Sequence, residues 1–152
     1  MVACAETATS AWNGGLLLLF AIQMKPPLMI LIAGPYRSGT GDEPAKLAAN
    51  VRAMEAYAVP LFRAGHLPVV GEWLALPLVA LAGSRSIGDE PFAEIFHPIA
   101  ERLLERCDAV LRMGGPSHGA DLMVQLALQR GLHVYRALAE VPGCEGLAEP
   151  VS

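Results

Sequence analysis

The sequence predicts an α/β fold in which a parallel sheet has helices on both faces. Three observations predict it. Short apolar runs of strand length alternate with longer segments in which apolar residues recur every three or four positions. The first run, residues 28–33 (LMILIA), is apolar throughout, as in a strand buried on both sides. Glycine-rich or polar segments follow several of the runs. Such alternation is typical of strand–helix–strand units.

The elements follow from local signals. The predicted strands are 28–33, 66–70, 109–113 and 132–135, and the predicted helices are 44–61, 98–106 and 120–129. Pro44 suits a first helical position, Gly65 and Gly131 suit helix ends, and Pro60 should kink the first helix. Pro68 indicates that the second strand lies at an edge of the sheet. Residues 71–91 are predicted to form a long loop. The resulting fold is a three-layer, flavodoxin- or Rossmann-like sheet of four to five strands.

Composition bounds the class of protein. The chain has 152 residues, of which 53% are apolar and 17% charged, with a net charge of −4. These values exclude disorder of the whole chain, and the acidic balance gives no reason to expect binding to a nucleic-acid polymer. Mean hydropathy is high, +0.40. The longest apolar run nevertheless has only seven residues, 16–22, whereas a membrane-spanning helix needs about 20.

The chain is predicted to contain one domain. Residues 1–23 carry a single charge, at Glu6, and are interpreted as a dispensable or non-native leader; a short apolar helix packed on the domain is the alternative. The α/β domain is placed at 24–141, and 142–152 is predicted to be a flexible tail. Three scattered cysteines predict neither a zinc site nor a disulfide framework, which fits the reducing cytoplasm.

Three segments predict where a ligand binds. They are 34–41 (GPYRSGTG), 71–73 (GEW) and 114–119 (GGPSHG), and each follows a predicted strand. Ligands of parallel sheets bind beyond the carboxyl ends of the strands, and glycine lets backbone amides approach an anion closely. We therefore expect a small anionic ligand. Neither the triphosphate-loop nor the dinucleotide pattern is present, and an ordinary turn is the alternative at Gly34 and Pro35.

Five sequence motifs also occur in the order in which a known protein family carries them. They are Ile32-Ala33-Gly34-Pro35-Tyr36, 63–68 (RAGHLP), 107–110 (CDAV), 116–119 (PSHG) and 131–135 (GLHVY). Together they resemble the nucleoside 2-deoxyribosyltransferase-like family over roughly residues 28–141, closest to its branch that hydrolyses nucleoside 5′-monophosphates. The resemblance implies a nucleoside or nucleotide ligand, N-glycosidic chemistry without metal or cofactor, and a homodimer or larger homo-oligomer that completes each active site.

The resemblance assigns phosphate contacts to the opening loop and to the PSHG serine. The residues expected to bind phosphate or nucleotide are Gly34, Pro35, Tyr36, Arg37, Ser38, Gly39, Pro116, Ser117 and Gly119. Trp73 is a candidate to stack on a base, with packing over the long loop as its alternative. His97 is a candidate to act on a leaving base, and His118 to pair with the phosphate.

The two carboxylates that the resemblance would require are absent. The nucleophile position is Met123, and the second acid falls at Ala100. Glu72 and Asp121 are the remaining candidates for catalysis. Glu72 would face the cleft as a general base, although a solvated loop residue is its alternative. Asp121 stands two residues before Met123, about 200° around a helix, so a helix-stabilising role competes with ligand binding.

Three functions stay open on the sequence. One is a nucleoside 5′-monophosphate N-ribosidase or deoxyribosyltransferase-like enzyme whose carboxylates have moved to Glu72 or Asp121. A second is a non-catalytic nucleotide or sugar-phosphate binding module, which Met123 and Ala100 favour. A third is an oligomeric interaction protein without a small-molecule site. The two polar loops favour the first two over the third.

Overall fold

Four strands and five helices alternate in the part of the chain that the structure describes. A computed structural model describes residues 26–151, so the leader predicted at 1–23 lies outside the described residues. The elements are β1 (Met29–Ala33), α1 (Pro44–Glu55), α2 (Ala58–Arg63), β2 (Leu67–Val70), α3 (Gly71–Leu81), α4 (Glu90–Leu104), β3 (Ala109–Arg112), α5 (His118–Gln129) and β4 (His133–Tyr135), with a 3-10 turn at Leu138–Glu140.

The strands form one parallel sheet in the order β2-β1-β3-β4. Ile30 of β1 lies opposite Pro68 of β2 on one side and Ala109 of β3 on the other. The predicted α/β class with a parallel sheet is therefore confirmed. Strand β2 lies at the edge, as Pro68 indicates, because proline has no N–H to donate to a neighbouring strand.

The sheet separates two apolar cores because successive side chains of β1 point to opposite faces. Ile30 and Ile32 pack with residues of α1 and α2 on one face. Leu31 and Ala33 pack with residues of α4 and α5 on the other. Helices thus cover both faces of the sheet, and the strands end between two layers of helices.

The prediction of a long loop over 71–91 is wrong. Helix α3 begins directly at the end of β2, and only the residues between Leu81 and Glu90 are irregular. The helix has no clear polar face: Ala75 and Val79 are buried, whereas Leu74 and Leu78 on its other side are exposed. Helices are predicted from apolar residues that recur on one face. A helix that is apolar on several sides has no such period, so the sequence does not indicate it.

Two other helix boundaries differ from the prediction. The expected kinked helix over 44–61 is two helices, because the ring of Pro60 conflicts with the carbonyl four residues earlier, at Ala56. The helix expected to begin at Pro98 begins at Glu90 and continues through Pro98. Its N-cap is Asp89, whose carboxylate accepts a hydrogen bond from the amide of Phe92.

The first part of the predicted flexible tail is packed instead. Cys144 is fully buried in the core beside α2, next to Val141 at the end of the predicted domain, which is also fully buried. The Glu149 carboxylate accepts a hydrogen bond from the amide of Leu138 at 2.7 Å, which ties the segment back to the domain. In residues 26–151 no helix is long and apolar enough to cross a membrane.

Candidate functional site

A cavity of about 410 Å³ opens at the carboxyl ends of β1 and β2, between α3, α4 and the start of α5; we call it the main cavity. It lies at the edge of the sheet where ligands of parallel α/β folds bind. The opening loop after β1 contributes Gly34, Tyr36, Arg37 and Ser38, and α5 contributes Ser117 through Ala120 and Met123. The two polar loops predicted from the sequence therefore meet at one site.

The opening loop is fixed by polar contacts with its own residues and with α1. The Asn50 side chain donates to the Tyr36 carbonyl at 2.7 Å, and the buried Thr40 hydroxyl donates to the Arg37 carbonyl at 2.6 Å. Arg37 and Asp42 form a two-fold ion pair at 2.6 Å. This contact holds the pKa of Asp42 below its ordinary value. The loop thus presents a cation whose charge is partly balanced.

Gly34 allows the loop to leave β1 over a crowded part of the core. A Cβ atom at this position would overlap Met113 Sδ and lie 2.9 Å from Met54 Cγ. The backbone at the start of the loop can therefore approach both methionines only without a side chain. Gly34 has a packing role as well as a place in the cavity lining.

The second polar loop ends in a capped helix. The buried Ser117 hydroxyl accepts a hydrogen bond from the amide of Ala120 at 3.2 Å and caps α5. The first amides of a helix have no partner within the helix, so His118 and Gly119 present partial positive charge beside the main cavity. An anion bound at Ser117 would meet that charge.

Hydrogen bonds from Arg112 fix the loop before α5. Its guanidinium donates to the Met113 carbonyl, to the Gly115 carbonyl at 2.8 Å and to Asp121 at 3.0 Å. Asp121 is therefore an exposed partner of Arg112, and it does not line the main cavity. The structure favours the helix-stabilising role for Asp121 over a catalytic one.

Glu72 is the only carboxylate among the described residues that line the main cavity. It stands in the first turn of α3 and not on a loop. Burial raises its pKa from 4.5 to about 7, since an apolar surrounding disfavours the charged carboxylate, and a backbone hydrogen bond offsets only part of this shift. Both protonation states of Glu72 are thus populated near neutral pH.

The positions of the missing carboxylates are in the same cavity. Met123 and Ala100 both line it. Ala100 also lies against α3: its Cβ is 3.5 Å from the position that a Cβ atom would take if Gly71 had a side chain. This wall therefore carries two apolar side chains at the two positions where the expected resemblance would require acidic ones.

The sequence interpretation missed an aromatic wall. Phe92 and Phe96 of α4 stack at 4.6 Å between ring centroids, and Tyr36 lies 5.0 Å from Phe96. Their spacing of four residues was the available signal, but the helix was expected to begin only at Pro98, after both rings. His97 also lines the cavity, with its Cε1 atom 3.4 Å from the position of a Cβ on Gly119.

Trp73, the expected base-stacking residue, lies elsewhere. Its indole NH donates to the Glu55 carboxylate at 2.8 Å, and it lines neither cavity. Pro35, Gly39 and Pro116 line a second cavity of about 520 Å³ that adjoins the first. Within residues 26–151 no group of three or more His, Cys, Asp or Glu side chains is arranged to hold a metal ion.

Comparison with protein-family models, with curated proteins and with solved structures finds no match to this chain in any of the three.

Proposed function

We propose that the main cavity binds a nucleoside 5′-monophosphate. The observation that carries the proposal is that the cavity lining combines two chemically different sets of residues. One set is Arg37, Ser38 and the capped start of α5 at Ser117, and the other is the stacked rings of Phe92 and Phe96. A volume of about 410 Å³ lies within the usual size of small-molecule sites.

The polar residues of the lining, Arg37, Ser38 and Ser117, suit a phosphate group. Hydroxyl groups, a guanidinium and free helix amides are the donors that phosphate oxygens prefer. The ligand phosphate would compete with Asp42 for Arg37, whose side chain is about half exposed. Exchange of one carboxylate partner for a doubly charged phosphate favours binding, because the phosphate carries more charge.

The aromatic wall suits a purine or pyrimidine ring. Every base has an aromatic face, and stacking on an aromatic side chain contributes about 1–3 kcal/mol. Phe96 contacts both Phe92 and Tyr36, so the wall is held in place from two sides. The sugar would then lie beside the phosphate donors and the aromatic wall, near Glu72 and Met123.

A nucleotide panel tests this proposal. We expect the four common nucleoside 5′-monophosphates, but not the matching nucleosides or inorganic phosphate alone, to raise the melting temperature and to bind in calorimetry. Arg37→Met should weaken binding about ten-fold, which corresponds to about 1.4 kcal/mol. Arg63→Met, on α2 and outside the cavity lining, is the matched control. Absence of binding by every nucleotide would refute the proposal.

A second candidate function is hydrolysis of the N-glycosidic bond, and the raised pKa of Glu72 favours it. Water would add to C1′ of the ribose as the bond from C1′ to the base nitrogen breaks. A general base takes the proton of that water, and a general acid supplies one to the departing base. With one carboxylate in the described lining, Glu72 would support direct displacement by water, since a covalent route needs two carboxylates about 5 Å apart.

Release of free base tests this second function. Glu72→Gln should abolish it, whereas Glu94→Gln, an exposed change on α4, should leave the rate unchanged. A rate that rises through pH 7 identifies Glu72 as the base, and a rate that falls there identifies it as the acid. Tight binding without base release would leave the chain a nucleotide-binding module.

A further inference from the structure

We propose that the second cavity receives a group joined to the ligand through its phosphate. The preferred ligand would then be a nucleoside 5′-diphosphate conjugate, with a sugar or alcohol on its distal phosphate, and not the free monophosphate. This inference rests on the proposed nucleotide site and specifies its ligand class. The observation behind it is that two separate cavities share one polar boundary.

The boundary consists of Ser38, Ser117 and His118, which line both cavities. These residues belong to the two loops that present donors to an anion, and His118 is the first residue of α5. The main cavity extends from this boundary toward Glu72 and the aromatic wall. The second cavity extends away from it, toward Asn50 and Gly115.

A phosphate at this boundary would divide its oxygens between two spaces. The ester oxygen that carries the nucleoside lies toward the main cavity. In a free monophosphate the other oxygens are terminal, so the second cavity of about 520 Å³ contains only solvent. In a diphosphate conjugate the bridging oxygen continues into that cavity, which therefore contributes contacts that a monophosphate cannot use.

The lining of the second cavity suits a polar, anionic group. Among its described residues there is no acidic side chain and no large apolar one. Gly39 and Gly115 leave backbone exposed there, and Ser38 and His118 offer a hydroxyl and an imidazole. Backbone and hydroxyl donors without opposing carboxylates fit a second phosphate and the hydroxyl groups of a sugar.

Matched ligand pairs test the inference on the full chain. The pairs are AMP with ADP-ribose, UMP with UDP-glucose, GMP with GDP-mannose and CMP with CDP-choline, each measured by calorimetry. For the base that the main cavity prefers, we expect the conjugate to bind at least ten-fold more tightly than the monophosphate. Equal or weaker binding of the conjugate, with the monophosphate still bound, would overturn the inference and leave the proposed function standing.

Gly115→Leu provides the blocking variant. Gly115 lines the second cavity but not the main one, and a Cβ there meets no atom within 4 Å. We expect the leucine to remove the ten-fold advantage of the conjugate and to change monophosphate affinity less than two-fold. Equal weakening of both ligands would contradict a separate second subsite.

Two measurements keep the inference testable if the leucine variant is poorly folded. Gly115→Ala is a smaller obstruction, and the comparison of each ligand pair on the unchanged protein needs no variant. If neither member of any pair binds, the proposed function and this inference both fail. If only the conjugates bind, the inference is supported and the assignment of a free monophosphate is overturned.

Discussion

Glu72 links the ionisation of the cavity to the stability of the fold. Its carboxyl group has a pKa of about 7 in the folded chain, against an ordinary 4.5, because burial disfavours the charged form. The protonated group therefore stabilises the folded state relative to the unfolded one. That contribution is fully present below pH 4.5 and is lost as the pH rises through 7.

Glu72→Gln should consequently change how stability depends on pH. We expect the free energy of unfolding of the unchanged protein to fall by about 1–3 kcal/mol between pH 4.5 and pH 8, relative to the glutamine variant. Urea unfolding at a series of pH values measures this difference, with Glu94→Gln as control. If the free energies of unfolding of the unchanged protein and of Glu72→Gln differ by the same amount at every pH, this expectation is contradicted.

Gly34 is the second residue whose role is specific to its position. Gly34→Ala should destabilise the fold by about 1–3 kcal/mol, because the added methyl group would overlap Met113 Sδ and crowd Met54. Denaturant unfolding measures the loss. Gly115→Ala, where the added atom meets nothing within 4 Å, is the control and should be neutral. Equal stability of the two alanine variants would show that the methionines move aside freely.

At the scale of the elements, the start of α4 depends on Asp89. The amide of Arg85 donates to its carboxylate at 2.8 Å, and the Ser84 hydroxyl and the amides of Phe92 and Ser86 donate to it as well. These hydrogen bonds lower the pKa of Asp89 from 3.8 to about 2. One carboxylate thus closes the loop after α3 and caps the helix that carries the aromatic wall.

Asp89→Ala should lower the melting temperature at pH 7 and weaken nucleotide binding at the aromatic wall of the main cavity. The stabilisation is present above pH 3.8 and is lost as the pH falls to about 2, so the difference between the two proteins should shrink in acid. Thermal unfolding at pH 7, 4 and 2 measures it. Asp108→Ala, directly before β3, removes a carboxylate that accepts from the amide of Met29 and serves as a comparison for the loss of one hydrogen bond between a carboxylate and a backbone amide. A melting-temperature difference at Asp89 that does not shrink would show that charge is not involved.

Elements were predictable from sequence where a local period or a turn signal was present. The four strands, the end of α5 shortly before Gly131 and the edge position of Pro68 follow from such signals. Helix α3 was not predictable in this way, because it is apolar on several sides. The start of α4 was missed although Asp89, Glu90 and Pro91 form an N-terminal signal.

At the scale of the whole molecule, the C-terminal segment completes the core. Val141→Ala should reduce the free energy of unfolding by about 2 kcal/mol, because it removes two buried methyl groups beside α2. Val151→Ala removes the same atoms from a side chain that is 97% exposed and should be neutral. Urea unfolding of both variants makes the comparison. Neutral behaviour at both positions would contradict a contribution of the C-terminal segment to the core.

The sequence by itself determined the parallel α/β class and the meeting of two polar loops at one edge of the sheet. Both follow from local alternation and from the rule that parallel strands end on the same side. Only the tertiary structure decided which side chains share the cavity. It placed Phe92 and Phe96 there, beside the predicted Glu72, and it placed Trp73 and Asp121 outside the cavity lining. The physical reason is that side-chain direction depends on how helices pack on the sheet: α3 is apolar on several sides and has no period that fixes its packing, and the first turns of α4, which carry the two phenylalanines, were not predicted as helix.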